Sequence, residues 1–464
     1  MREWEEEELE SIDLGDTRLN TRSQQILKKF FDAPNSSIKA SFSGWGEIKA
    51  SYRFFDNKKV SSDRIILPHK EATLNRIGKQ KIILCVQDTT IVDYSHRSGR
   101  VEGLGKLQQE SQQGFLLHPT IAFSDSGLCL GVINYKTWIR EELQGKQQRQ
   151  KKKPIEKKES MRWIESYRLT DSIAKERVDQ LFINITDREG DFYELLQEYT
   201  EGVSAAHLIV RAKSNRVLAV NGADDEKKLW EKLQQQPVIG QIEFEMNGII
   251  DKRKSRKVTQ TIRTCRIKLD PPRKVKKLNE LNSIEITALL CSEENPPPGE
   301  KAVEWLLLTS LELKDGITAL DIVRYYQLRW QIEIYFKVLK SGCGIEELQL
   351  ANIDRLKNCI AMYMIVAWRI LFLTLVGRVC PEVSCELFYG ESEWKAVYIV
   401  AHQKPPPKSA PSIYLMNRMV ASFGGFANRK SDKEPGPKSI WIGLQRLKDF
   451  TLAFELFNTQ NIYG

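Results

Sequence analysis

Histidine is scarce in this chain: five residues, His69, His96, His118, His207 and His402, in 464, with no HxxxH pair among them. The eight cysteines include no CxxC and show no regular spacing. Together these shortages exclude a zinc site of the usual spacing and a disulfide framework, and they fit reduced thiols in a cytosolic protein. The opening "MREWEEEELE" has no apolar stretch, so no secretory signal is expected. Long hydrophobic runs are nearly missing as well. Only "CIAMYMIVAWRILFLTLV" (359–376) is long enough to span a bilayer, and Arg369 stands near its middle. It reads as a buried helix, and no membrane partner is expected. No internal repeat is visible.

What the chain does have is length, apolar content and unevenly placed charge. Its length suggests about three domains, and a hydrophobic share of 41% is enough to bury real cores. Net charge is +9. Basic residues run together in 145–158, 251–257 and 271–277, while the first ten residues hold six glutamates. Each run alone reads as a solvated loop; in sum they favour a polyanionic partner.

Residues 1 to about 62 carry an apolar period near that of a helix, and "SFSGWGEIKASYRFFDN" sets aromatics beside Lys49 and Arg53. The pattern then changes. "KIILCVQDTT" is a short apolar run of the kind buried on both faces of a sheet. "LHPTIAFSDSGLCLGVINYKTW" reads as two strands about an Asp-Ser-Gly turn. "SMRWIESYRLTDSIAKER" predicts a helix, "QLFINITDREGDFYELLQEY" a strand running into a helix, and "AHLIVRAK" another buried strand. Period-two alternation in "IGQIEFEMN", "RKVTQTIRTCRIKL" and "SIEITALLCSE" predicts antiparallel strands before "AVEWLLLTS" resumes the buried style. The simplest account is an α/β core split by a β-rich insertion, followed by helices.

"YQLRWQIEIYFKVLKSG" (326–342) poses the functional question. At about 100° per residue, Tyr326, Arg329, Glu333, Lys337 and Lys340 fall within about 80° of one another on a helix otherwise mostly apolar. Paired i, i+4 charges on a surface helix predict a polar half-circumference, which this segment lacks. The stripe therefore lines something polar. A carboxylate among cations suits a metal ligand beside phosphate-binding groups, and such a site needs further oxygen ligands. Asp88 follows "IILCVQ" and Asp187 follows "LFINIT", each where a buried strand ends. Either one alone is more often a turn or cap residue. With Glu333 they suggest one site.

"QDTT" with Asp88, "TDREGD" with Asp187, and Tyr326-x2-Arg329-x3-Glu333-x6-Lys340 resemble the D-D-E signature and Y-R-E-K motif of bacterial cut-and-paste transposases of the insertion-sequence-four family. "LGDTRLNTR", "ENPPPGE", "EWLLLTS" and "GGFANRKSDKEPGPKSIWIGLQRL" match the family in the same order, so the resemblance spans nearly the whole chain.

The resemblance implies an RNase H-like, mixed-sheet catalytic core at 63–377 with the β-rich insertion at about 212–303. It implies a helical transposon-end-binding domain at 1–62 and a helical dimerisation domain at 378–464. By it, Asp88, Asp187 and Glu333 are catalytic and hold two Mg²⁺ ions, for which Mn²⁺ can substitute. Cleavage frees a 3′-OH that attacks the opposite strand, makes a hairpin and is regenerated for attack on target DNA. Tyr326, Arg329 and Lys340 hold the DNA backbone. Trp305 matches a tryptophan near a flipped base, although by pattern it is equally a core residue beside a strand. Trp330 matches another, with core packing as its expected role.

Further DNA contacts are expected from Arg18, Arg22, Lys49 and Arg53, and from Arg211, Lys213 and Arg216. Leu19 departs from the family pattern, where a second arginine is expected, and "KQQRQKKKPIEKK" is more basic than its counterpart. The implied partners are double-stranded DNA, at element ends and target, and a second copy in the synaptic complex; the implied location is the bacterial cytoplasm, on the nucleoid. Two other readings stay open: a catalytically silent DNA-binding relative or inhibitor of transposition, and a two-metal nuclease without strand transfer.

Overall fold

The computed structural model describes residues 3–97, 99–140, 154–216, 218, 228–246, 255–272, 281–313 and 316–460. Of the basic runs, 145–153, 251–254 and 273–277 lie outside the described residues, as does part of the 212–303 segment. Strands in chain order are β1 Ile82–Gln87, β2 Thr90–Asp93, β3 Gly105–Lys106, β4 Gln113–Ser124, β5 Cys129–Trp138 and β6 Leu181–Thr186. They continue with β7 Ala206–Arg211, β8 Gly240–Met246, β9 Arg256–Leu269, β10 Ile284–Glu293 and β11 Glu304–Thr309. Two compact units divide the chain: Met1–Lys79, Thr89–Gly145 and Gln331–Gly464 form one, Gln80–Asp88 and Lys146–Trp330 the other.

The first unit is built on the Ile353–Val379 helix, the apolar run singled out above. Asn352 caps it, accepting from the Arg355 amide at 3.0 Å. In its most apolar stretch, 94% of the residues are buried inside the protein, so this length of hydrophobic helix is core. Phe30 of the Thr17–Asp32 helix stacks on Tyr363 at 4.4 Å between ring centroids. The Asn358 amide donates to the carbonyls of Phe55 and Val60, and the Trp368 indole donates to Cys129 at 3.1 Å. Arg369 is also buried, donating to the Phe388 carbonyl at 3.0 Å.

Strands β4 and β5 form the expected hairpin, and β2 and β3 pair with β4. Gly131 of β5 has φ +146, and a Cβ there would lie 2.0 Å from Thr73 Oγ1. Only glycine lets the Ser62–Ile77 helix come this close. Across that contact runs a buried polar group. The Glu8 carboxylate takes a hydrogen bond from His69 Nδ1 at 2.5 Å and two from Arg76 at 2.8 and 2.9 Å. His69 Nε2 accepts from the Val132 amide at 3.0 Å, which fixes the ring as neutral with its proton on Nδ1.

The second unit holds a mixed sheet ordered β1-β6-β7-β11-β10-β9-β8. β1, β6 and β7 are parallel, and β1 and β6 are buried through their last five residues, as their unbroken apolar sequences require. The Met161–Lys175 helix lies against them, with the Tyr167 hydroxyl donating to Ala206 at 2.8 Å. β11 runs antiparallel to β7. The three alternating segments become β8, β9 and β10, and β10 pairs with β11 from Thr287↔Thr309 to Ser292↔Glu304. These strands therefore extend the core sheet itself.

Candidate active site

Register decides where the two aspartates go. β1 and β6 align from Ile82↔Leu181 to Val86↔Ile185. Asp88 and Asp187 each stand two residues past that last pair, so both leave the same edge of neighbouring parallel strands. Strands so paired lie about 4.8 Å apart. Just inside the edge, the buried Gln87 amide donates to Asn184 Oδ1 at 2.6 Å, tying the two strands together. Asn184 in turn donates to Thr170 on the Met161–Lys175 helix.

After β6 the chain turns sharply. Asp187 Oδ1 accepts from the Glu189 amide at 2.7 Å, capping a short 3-10 turn from Arg188 to Gly190. A Cβ on Gly190 would lie 2.3 Å from Thr186 Oγ1, so the turn needs glycine. Asp191 closes the motif: it accepts from the Lys213 amide at 2.6 Å and is ion-paired with Arg216. The "DREGD" string thus holds the end of β6 in place, and sequence reading had assigned no role to its last aspartate.

Asp88 is buried and paired. Arg329 Nη1 lies 3.0 Å from Asp88 Oδ2, with the two side chains 6% and 11% exposed. The guanidinium lies 4.9 Å from the centroid of the Trp330 ring and 6.0 Å from that of Tyr326. Among the described residues no three His, Cys, Asp or Glu side chains lie together as a metal-holding group.

The Y-R-E-K segment differs from a uniform helix. It is α-helical over Ala319–Leu328 and Trp330–Lys337, and a π-helical turn follows at Val338–Gly342. Arg329, at the junction, keeps helical dihedrals. Three expectations need correction. Tyr326 does not share an open polar stripe: it is 1% exposed, and its hydroxyl is buried with no hydrogen-bond partner among the described residues. Arg329 is drawn inward by Asp88. Trp330, expected in the core, is 53% exposed.

The exposed stripe is therefore Trp330, Glu333 and Lys337, spaced i, i+3, i+7, with Lys340 half-buried at its end. Lys340 is ion-paired with Glu346 at 3.0 Å. The wheel already set Trp330 about 20° from Lys337, and its hydrophobicity alone argued for the core. Trp305 is the buried tryptophan, 7% exposed, stacked on Phe244 at 5.1 Å and edge-on to Tyr326 at 5.9 Å.

Of the other expected DNA contacts, Lys49, Arg53 and Lys213 are exposed and Arg22 is half-buried. Arg18 is exposed and bonded to the helix-capping Asp16. Arg211 donates to the Glu304 carbonyl, and Arg216 is taken up by Asp191. These two are engaged within the fold.

Family models match in three places. A transposase DNA-binding model covers residues 1–60, a transposase DDE domain model 192–369, and a transposase Tn5 dimerisation domain model 365–455. The chain belongs to the Tn5-type DDE transposases. Its mixed sheet is the RNase H-like α/β core of such an enzyme, with helical regions on either side in sequence. The transposase is also similar to piggyBac transposase in a synaptic complex with hairpin DNA, at 11% identity and a TM-score of 0.36, over 94% of this chain and 73% of that one. So distant a likeness carries no weight for the site. The DDE match includes Glu333 and begins after Asp187.

Proposed function

We propose that this transposase cuts and joins DNA through Asp88, Asp187 and Glu333. The observation that carries the reading is the in-register end of β1 and β6, which delivers two aspartates to one sheet edge. Glu333 follows Arg329, the partner of Asp88, by one helical turn. Three carboxylates with no thiol or imidazole suit a hard divalent cation. Cys85, in the same strand as Asp88, offers no thiolate, because burial pushes its thiol up to about 12. Arg329 against Asp88 shows that this carboxylate already attracts positive charge.

Two Mg²⁺ ions, or Mn²⁺ in their place, would supply the charge that activates water and then a 3′-OH, and that stabilises the departing oxygen. The chain's own groups do the rest. Arg329 presents a planar fork to a phosphate once it leaves Asp88, and Lys340 presents a point charge on leaving Glu346. Trp330, exposed beside Glu333, offers a ring face to an unstacked base, offsetting part of the few kcal/mol of its extrusion. Trp305 and Tyr326 brace the segment from inside. Water first breaks a phosphodiester at the element end and leaves a 3′-OH. This attacks a phosphodiester of the opposite strand, displacing the 3′-oxygen of the flanking DNA to give a hairpin, and a second water opens the hairpin to return the 3′-OH for attack on target DNA.

Around this centre, residues 1–62 bind the element ends, 63–377 form the catalytic domain with its insertion at about 212–303, and 378–464 pair two copies in the synaptic complex. Leu452, Leu456 and Phe457 leave an exposed apolar stripe on the last helix, Pro437–Gln460, which suits that pairing. The setting is the cytoplasm, on nucleoid DNA. Incubating the protein with its element-end duplex, a target plasmid and Mg²⁺ tests the reading. Hairpin ends and joined products are expected; end binding with no nick would overturn it, and nicks without joining would leave only a nuclease.

A further inference from the structure

The Trp45–Phe55 helix is held by one face. Phe54 and Phe55 are 2% and 1% exposed, and Phe55 stacks on Phe30 at 6.1 Å. The opposite face presents Trp45, Lys49 and Arg53, all exposed and each four residues from the last. Trp45 is 75% exposed, the most of any aromatic side chain among the described residues. It stands at the first helical position between Gly44 and Gly46, and a Cβ on either glycine would meet nothing within 4 Å. Neither Lys49 nor Arg53 is engaged in an ion pair among the described residues. Glu47 is exposed too, and lies about 200° round the helix from Trp45.

A single exposed aliphatic side chain needs no explanation. A tryptophan held out at the tip of an anchored helix, with two cations along its stem, is a different arrangement. From Trp45 to Arg53 the helix rises about 12 Å, close to the width of a DNA major groove. Cations on such a stripe suit phosphates, and an indole at its tip suits the apolar edge or face of a base.

We propose that Trp45 is a base-contacting residue of the end-binding region, with Lys49 and Arg53 on the flanking phosphates. The assignment rests on the DNA-binding role proposed for residues 1–62 and adds how sequence is read there. Base contact by Trp45 makes it a determinant of specificity, whereas the two cations add affinity on any duplex.

The full-length protein is used to enrich duplexes from a random pool, and binding to the enriched duplex and to a scrambled one is followed by fluorescence anisotropy. Trp45→Ala is expected to weaken the enriched duplex about ten-fold or more, leaving the scrambled duplex and the melting temperature unchanged. Trp45→Phe should keep most of the preference. Lys49→Ala and Arg53→Ala should weaken both duplexes and each lower the salt slope by about one. Trp45→Ala binding the enriched duplex as wild type does, or losing both duplexes equally, overturns the assignment alone. A wild-type protein that enriches no sequence overturns the end-binding reading beneath it.

Discussion

Arg329 reaches across 241 residues of sequence to pair with Asp88 at 3.0 Å, in surroundings that leave both side chains almost wholly buried. Arg329 thus holds the first of the three carboxylates proposed to act on DNA. A buried pair of this kind is costly to break from one side only. Asp88→Asn should therefore destabilise the metal-free protein by about 3 kcal/mol, read from urea unfolding. Combined with Arg329→Met, part of that loss should return. Equal stability of Asp88→Asn and wild type would show that the pair carries no net energy.

The same pairing sets a competition. In the proposed site a divalent ion and the Arg329 guanidinium both want the Asp88 carboxylate, so Arg329→Gln should bind Mn²⁺ more tightly than wild type does. Titration followed by the paramagnetic signal of Mn²⁺ measures it without any turnover. About a five-fold gain is expected, equivalent to about 1 kcal/mol released from the competing contact; weaker binding would mean that Arg329 organises the site rather than occupying it.

Acid should loosen the first unit through Glu8. Burial alone would raise its carboxyl, but Arg76 and His69 beside it hold it below the ordinary 4.5. A depressed carboxyl gives stability that is present above pH 4.5 and is lost as pH falls through the lowered value. His69 is neutral here, so the Arg76 charge and the His69 hydrogen bond do this work. Glu8→Gln should be less stable at pH 7 and should lose less than wild type between pH 5 and pH 3 in denaturant melts.

The two tryptophans should separate cleanly. Trp305→Ala removes a buried side chain and should cost about 3–5 kcal/mol of stability. Trp330→Ala should leave the melting temperature nearly unchanged and slow hairpin formation about ten-fold, with the first nick preserved. Gel analysis of nicked and hairpin products, beside a thermal melt, reads both effects.

Pairing of copies should depend on the last helix. Leu452→Glu or Phe457→Glu should preserve binding to a single element end and weaken the two-end complex at least about ten-fold on native gels. A two-end complex at full strength would move the seam elsewhere.

Much of this was legible in the residues. Unbroken apolar runs in "IILCVQ" and "LFINIT" announced buried strands, and the aspartate directly after each stands at their shared edge. Alternation foretold β8 to β10, although nothing local said that they would extend the core sheet. The helical wheel found the charged stripe and then misplaced its ends. Tyr326 and Arg329 turn inward because their partners, Trp305 and Asp88, come from elsewhere in the chain. Trp330 is left outside for the same reason. Long-range pairing also explains why Glu8, His69 and Arg76 gave no signal, since Glu8 stands 61 and 68 residues from the other two. Gln87, the last residue of β1, and Asn184, within β6, are polar residues in apolar strands, and their side chains tie the two strands together.

The most direct test is to compare wild type with Asp88→Ala, Asp187→Ala and Glu333→Ala on the element-end duplex, measuring binding and first-strand nicking in the same samples with Mg²⁺. Each variant is expected to bind the duplex within about two-fold of wild type and to nick it at least about a thousand-fold more slowly, as loss of transition-state charge stabilisation requires. A variant that binds normally and still nicks at a rate near that of wild type would remove that residue from the site and contradict the account.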